Sequence, residues 1–294
     1  MENRQKEEIR EALRRYVAKY PSQNKAAQSL RGTSAATLSA ILGGKWENIS
    51  ADMWRNLQAQ VGDMGQAEWQ TAETTASQEM RFALEDAQRW KNVTWVVGEA
   101  GCGKTTTARQ YEAEHSEVFY ILCSEDMRRG DFIRDIARRI GIRTDGQTLR
   151  DSLDAITVAL VQMEHPLLVF DEADKLSDQV MFFFITFYNK LEDYCGIVLM
   201  ATDYLEKKVR RGLRLNKKGY KEIYSRIGRR FVAMPGLSAT DISDVCRANG
   251  VEGLREIETV KKDCEGDLRR VKRKCHAFNR MRRQAEERKE ETAE

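Results

Sequence analysis

The chain has 294 residues, 41% hydrophobic and 32% charged, with three prolines and a mean hydropathy of −0.61. That length can bury one sizeable core plus a smaller module, and the composition favours helix. No window approaches the ~18 consecutive apolar residues of a membrane helix. The opening MENRQKEEIREALRRY is too charged for a signal peptide, so a cytoplasmic protein with no membrane partner is expected. Six cysteines (102, 123, 195, 246, 264 and 275) show neither a CxxC pair nor metal-ligand spacing, and read as free thiols.

The formal net charge is only +3, but it is unevenly spread. Residues 204–235 hold eleven Lys/Arg against two acidic residues, a net of +9, and residues 261–289 hold twelve against five, a net of +7. Such segregation suits a polyanionic partner, with a solvated helix face as the alternative.

Taken in chain order, residues 3–19 predict an amphipathic helix. Ile9, Leu13, Tyr16, Val17 and Tyr20 recur at 3–4 spacing, and YPS ends it. Two short helices follow, about 23–30 and 34–42, joined by RGTS; a turn, GGKWEN, then leads to a helix from about 50. Ala26, Ala27, Leu30, Leu38, Ile41 and Leu42 supply a small core, Gly32 fits the tight turn, and Ser34 or Thr33 caps the second helix. This layout predicts a helix-turn-helix domain over 1–62 that resembles the phage-repressor type. There the second helix enters the major groove, which singles out Thr33, Ser34, Ala35 and Thr37, with Lys45 as a phosphate contact. No Arg or Gln stands ready for bidentate base reading, so little sequence specificity is expected. A small helical bundle for protein contacts is the alternative.

Residues 63–79, polar and weakly periodic, read as a linker. Over 80–235 apolar strands (94–98, 118–123, 166–174, 196–202 and 229–235) alternate with helices (103–115, 130–141, 149–163, 177–193 and 203–211). Fully apolar strands with intervening helices predict an α/β domain, a parallel sheet covered on both faces. MFFFITFYNKL, 181–191, reads as the apolar face of one covering helix, with some residues at a subunit interface or a nucleic-acid stacking surface as the alternatives. Residues 236–294 predict an all-α tail of helices at about 239–248, 253–263 and 266–288, with a charged end that frays.

Gly98, Glu99, Ala100, Gly101, Cys102, Gly103, Lys104 and Thr105 satisfy G-x-x-x-x-G-K-[ST] between a strand and a helix, with Thr106 next in the helix. Glycines let successive backbone N–H groups turn inward, and the helix N-terminus adds partial positive charge, so the loop suits ATP phosphates. Lys104 is placed for the β- and γ-phosphates and Thr105 for Mg²⁺. LLVFDEAD, 167–174, supplies Asp171 as a second Mg²⁺ partner and Glu172 as a general base for the attacking water. Two carboxylates after four apolar residues need a compensating partner such as a metal. The next strand ends in Thr202 and Asp203; Thr202 is favoured for orienting the water, and Asp203 for capping the following helix.

The order helix-turn-helix, phosphate loop, acidic strand end, polar strand end, SRI and helical lid resembles the AAA+ ATPases. Within them, MRFALEDAQRWKNVTWVVGEAGCGKTTTARQY, LLVFDEADKL, GIVLMATDYL and YSRIGRRFVAM resemble the family of target-selecting transposition ATPases typified in phage Mu. The IstB-type and TniB-type transposition helpers are cousins. That resemblance spans nearly the whole chain. It implies an oligomer or helical filament on double-stranded DNA in a bacterial host cytosol, recruitment of a transposase, and disassembly on hydrolysis. It matches Arg226 to the arginine finger that reaches a neighbouring subunit's γ-phosphate, and Arg269 to the lid's sensor arginine, with Arg270 beside it. Fixed cations at both places would stabilise the transferred phosphoryl group. The family often has Asn where Thr202 stands, and this C-terminal region is short. Arg128, Arg129, Lys207, Lys208, Arg210 and Arg211 are candidate DNA contacts, with subunit-contact or solvated charges as the alternative. A nucleotide-dependent transcription regulator and a helicase-loader-type ATPase are the competing functions.

Overall fold

The computed structural model describes residues 3–61, 69–226 and 229–293, and the chain divides into two compact units, 1–69 and 70–294. Among its described residues the first holds four helices, α1 (Asn3–Val17), α2 (Gln23–Ser29), α3 (Ala35–Leu42) and α4 (Ala51–Val61). They close over Ile9, Leu13, Ala26, Ala27, Leu30, Leu38, Ile41, Trp54 and Leu57, all buried, with Leu42 at the margin. Gly32 adopts φ +71° in the turn between α2 and α3, a conformation strained for other residues. Ser34 caps α3, its hydroxyl accepting from the Thr37 amide at 3.0 Å, a contact type worth about 1 kcal/mol.

The second unit opens with α5 (Thr75–Trp90), which begins inside the stretch expected to be linker. Thr74 and Ser77 form a reciprocal capping box at its start, a local signal masked by the polar composition around it. Of that expected linker, residues 63–68 lie outside the described residues.

Five strands follow among the described residues: β1 (Val93–Val97), β2 (Val118–Leu122), β3 (Leu167–Asp171), β4 (Gly196–Ala201) and β5 (Val232–Ala233). They form one parallel sheet in the order β2-β3-β4-β1-β5. The fifth is shorter than its apolar sequence predicts, because only Val232 and Ala233 pair with Val96 and Val97. Between the strands run α6 (Lys104–Glu114), α7 (Arg129–Arg139), α8 (Leu149–Val161), α9 (Asp178–Leu191) and α10 (Asp203–Arg214), then α11 (Tyr220–Arg226), which the sequence reading missed.

Strand alternation sorts side chains between two layers. Val96, Tyr120, Val169, Val198 and Met200 meet α5 and α6 on one face. Trp95, Ile121, Leu168, Phe170 and Leu199 meet helices α7 to α11 on the other, including Phe184 and Phe187 of α9. The apolar stripe of 181–191 is therefore core. Each such side chain contributes about 1.5–3 kcal/mol on full burial. No described helix is long and apolar enough to cross a membrane.

Three helices complete the unit: α12 (Ala239–Ala248), α13 (Leu254–Asp263) and α14 (Leu268–Ala293), the last remaining helical to Ala293 where fraying was expected. Buried Asp241 ties them to α5. It accepts from the Thr75 amide at 2.9 Å and the Ser238 amide at 2.8 Å. Burial works to raise its pKa, but these hydrogen bonds and the adjoining hydroxyls outweigh it, leaving the carboxyl below its ordinary value. A depressed pKa contributes stability above the unfolded value of about 3.9 and loses it as pH falls through the folded value. Asp241→Asn should cost about 1–3 kcal/mol at pH 7. Urea unfolding should also show a flatter loss of stability below about pH 4 than in wild type; equal curves would remove Asp241 from this role.

Candidate nucleotide site

The turn from β1 into α6 is built by residues 98–103. Gly101 and Gly103 take φ +81° and +107°. A Cβ on Gly101 would lie 2.0 Å from Asp267 Oδ1, so the loop passes the start of α14 too closely for any side chain. Gly103 is the N-cap of α6 and brings no side-chain cap, so the first-turn amides have no side-chain acceptor at the cap. That end of α6 is a seat for an anion.

Lys104 Nζ donates to the carbonyls of Gly98 (2.8 Å) and Glu99 (3.0 Å). Cys102 is buried beneath the loop, its Sγ 3.5 Å from Lys104 Nζ. A cleft is lined by Ala100, Gly101, Gly103, Lys104, Thr105 and Thr106, by Asp171, Glu172 and Asp174, and by Thr202, Leu268 and Arg269. Gly98, Glu99 and Cys102 shape the loop without lining that cleft.

At the end of β3, Asp171 is 3% exposed. Its Oδ2 accepts from Thr105 Oγ1 at 2.6 Å and from the Tyr120 hydroxyl at 2.6 Å, and its Oδ1 from the Glu172 amide at 2.8 Å. Thr105 spends its proton on Asp171, which leaves the hydroxyl lone pairs for a cation. One buried carboxylate and one hydroxyl in contact, beside an anion seat, fit Mg²⁺ bound to phosphate, which takes few protein ligands. Among the described residues no cluster of three or more His, Cys, Asp or Glu could bind a metal by itself.

Glu172 sits in the left-handed region at φ 55°, ψ 38°, the kind of strain that collects at functional sites. Its carboxylate pairs with Lys175 at 2.5 Å and raises the lysine's pKa. Thr202 Oγ1 donates to Asp174 Oδ2 at 2.7 Å. Thr202, not Asp203, holds the N-cap position of α10, and Asp203 pairs instead with Lys207 in the first turn. Tyr120, Asp174 and Lys175 escaped the sequence reading. Asp174 was visible in DEAD, whereas Tyr120 looked like another core aromatic.

The C-terminal helices reach the site through the start of α14, where the Leu268 amide donates to Gly101 O at 3.0 Å. Arg269 lines the cleft, while Arg270 pairs with Glu265. Arg226 stands apart at the end of α11. Its Nε donates to Asn189 Oδ1 at 3.0 Å, and its guanidinium lies 5.9 Å from the Tyr188 ring centroid.

The candidate DNA contacts divide by their partners. Lys208 is mostly covered, bound to Leu176 O and Asp178. Lys207 and Arg210 pair with Asp203 and Glu206. Arg128, Arg129 and Arg211 are exposed, as is Arg214 further along α10. In the N-terminal unit Ser34 and Thr37 bond to each other at 2.8 Å, Thr33 Oγ1 lies 3.9 Å from Met53 Sδ, and Lys45 is exposed.

Residues 87–209 match the family model described as AAA domain, a span that holds the phosphate loop, Asp171, Glu172 and Thr202. The matched residues hold strands β1 to β4 of the parallel sheet and their covering helices, an α/β fold with helical flanks. Among solved structures the chain is similar to the Orc1 protein of Aeropyrum pernix, determined in complex with DNA. The identity is 18% and the TM-score 0.48, covering 68% of this chain and 58% of that one. The chain thus spans less than two thirds of that protein's length. No curated protein matches the sequence.

Proposed function

We propose that the chain is a Mg²⁺-dependent ATPase that assembles on DNA with little sequence preference, and that hydrolysis ends the assembly. The observation that carries the hydrolytic part is the 2.6 Å bond between Thr105 and Asp171, which joins the phosphate loop to the acidic strand end. Thr105 and Asp171 would hold Mg²⁺, which supplies positive charge to the phosphates. Lys104, now satisfied by two carbonyls, can turn to phosphate oxygens in the same cleft. Glu172 accepts a proton from the attacking water, and its release from Lys175 is part of reaching that role. Thr202 orients through Asp174, and Arg269 adds a cation from the lid.

Arg226 lies outside this cleft's lining, which agrees with a finger that serves a neighbouring subunit and makes hydrolysis depend on assembly. The net +9 of residues 204–235 supports a polyanion as the surface of assembly. The resemblance to transposition ATPases supports delivery of the bound DNA to a transposase in a bacterial cytosol. The N-terminal helix-turn-helix unit would add DNA contacts through Lys45 and the start of α3.

Glu172→Gln should bind ATP as tightly as wild type yet hydrolyse it about 100-fold more slowly or worse in a phosphate-release assay; undiminished turnover would exclude Glu172 as the base. Removing both Arg211 and Arg214 should lower the slope of log affinity for random duplex against log salt by about 2. An unchanged slope in that titration would place DNA on another surface.

A further inference from the structure

Asp171 has more hydrogen-bond partners than the phosphate loop alone provides. Thr105 and the Glu172 amide come from the residues already assigned to the site. The third donor, Tyr120, comes from β2, the strand beside β3, where it pairs in register with Val169. Its hydroxyl donates to the same oxygen, Asp171 Oδ2, that accepts from Thr105.

Tyr120 is 1% exposed and Asp171 3% exposed, so water is poorly placed to replace that bond. The tyrosine is itself held in place. Its amide donates to Glu112 Oε1 at 2.8 Å, and the Arg109 guanidinium lies 5.0 Å from its ring centroid. Arg109 and Glu112 belong to α6, the helix whose first turn carries Lys104 and Thr105. The same helix therefore presents the phosphate loop and clamps the residue that steers the facing carboxylate. A phenol is protonated at neutral pH, so Tyr120 serves Asp171 as a donor.

We propose that Tyr120 is a positioning residue: its hydroxyl fixes the orientation of the Asp171 carboxylate and so sets the affinity of the nucleotide site for Mg²⁺. This rests on the reading of Thr105 and Asp171 as the Mg²⁺ pair. Outer partners of metal-binding carboxylates commonly govern affinity by about 10- to 100-fold. A residue that merely filled the core would affect folding without separating Mg²⁺-dependent from Mg²⁺-independent nucleotide binding.

Tyr120→Phe keeps the ring and the Arg109 contact and removes only the donor. Binding of a fluorescent ADP analogue to the full chain, titrated with Mg²⁺ and repeated in EDTA, tests the role. The Mg²⁺ concentration for half-maximal effect should rise about 10-fold or more, with affinity in EDTA unchanged. Replacing Tyr120 with 3-fluorotyrosine, which restores a donor of nearly the same size, should restore the wild-type requirement. An unchanged Mg²⁺ requirement, an equal loss in EDTA, or failure of the fluorotyrosine rescue would each overturn the proposal. A wild-type chain that binds nucleotide with no response to Mg²⁺ would instead overturn the reading of Thr105 and Asp171, and this proposal with it.

Discussion

A carboxylate at the end of a wholly buried strand is expensive unless several donors face it, and Asp171 has three. Each comes from a different segment: Thr105 from α6, Tyr120 from β2, and the Glu172 amide from the strained turn beyond β3. Meeting the needs of one charge therefore registers the phosphate loop against two neighbouring strands. The central position of β3 and β4 in the sheet makes that register rigid, because Leu167, Leu168, Val169 and Phe170 are all fully buried. The site's geometry is thus a consequence of the core as much as of the loop.

The groups around the cleft already have partners inside the chain. Lys104 is bound by two carbonyls, Glu172 by Lys175, and Thr202 by Asp174. Exchanging one hydrogen bond for another changes free energy only modestly, so phosphate oxygens would replace the two carbonyls at Lys104 at small net cost. What a phosphate adds is charge near Lys104 and the start of α6, where the helix brings no side-chain cap of its own. The C-terminal helices meet the loop directly: Leu268 bonds to Gly101, and Asp267 packs on that glycine where a side chain would collide. The loop and the start of α14, which carries Arg269, are thereby in direct contact.

The parts of the site legible in the sequence were those where backbone chemistry allows few solutions. A loop that must wrap phosphate demands glycines at set spacings, and paired carboxylates after LLVF stand out against an apolar strand. The parallel sheet was legible from the same apolar runs. Tyr120 was not, because alternation assigns a strand residue to a face but says nothing of which carboxylate that face meets. Charge runs are similarly silent about partners: Lys208 belongs to the basic segment by sequence, and the fold ties it to Leu176 and Asp178. Helix α5 was obscured by polar small residues whose capping pattern mattered more than their composition, and α11 by the basic run around it. The two-residue length of β5 reflects pairing limited to Val96 and Val97, which no local propensity encodes.

In the proposed function, Thr105 and Asp171 act as one Mg²⁺-binding unit. A double-mutant cycle on Mg²⁺-dependent ATP binding, using Thr105→Val, Asp171→Asn and the two combined, tests it most directly. Calorimetric titration with and without Mg²⁺ should show each single variant losing most of the Mg²⁺ enhancement, and the double variant losing little more. Strictly additive losses, or an enhancement that survives in either single variant, would contradict the account.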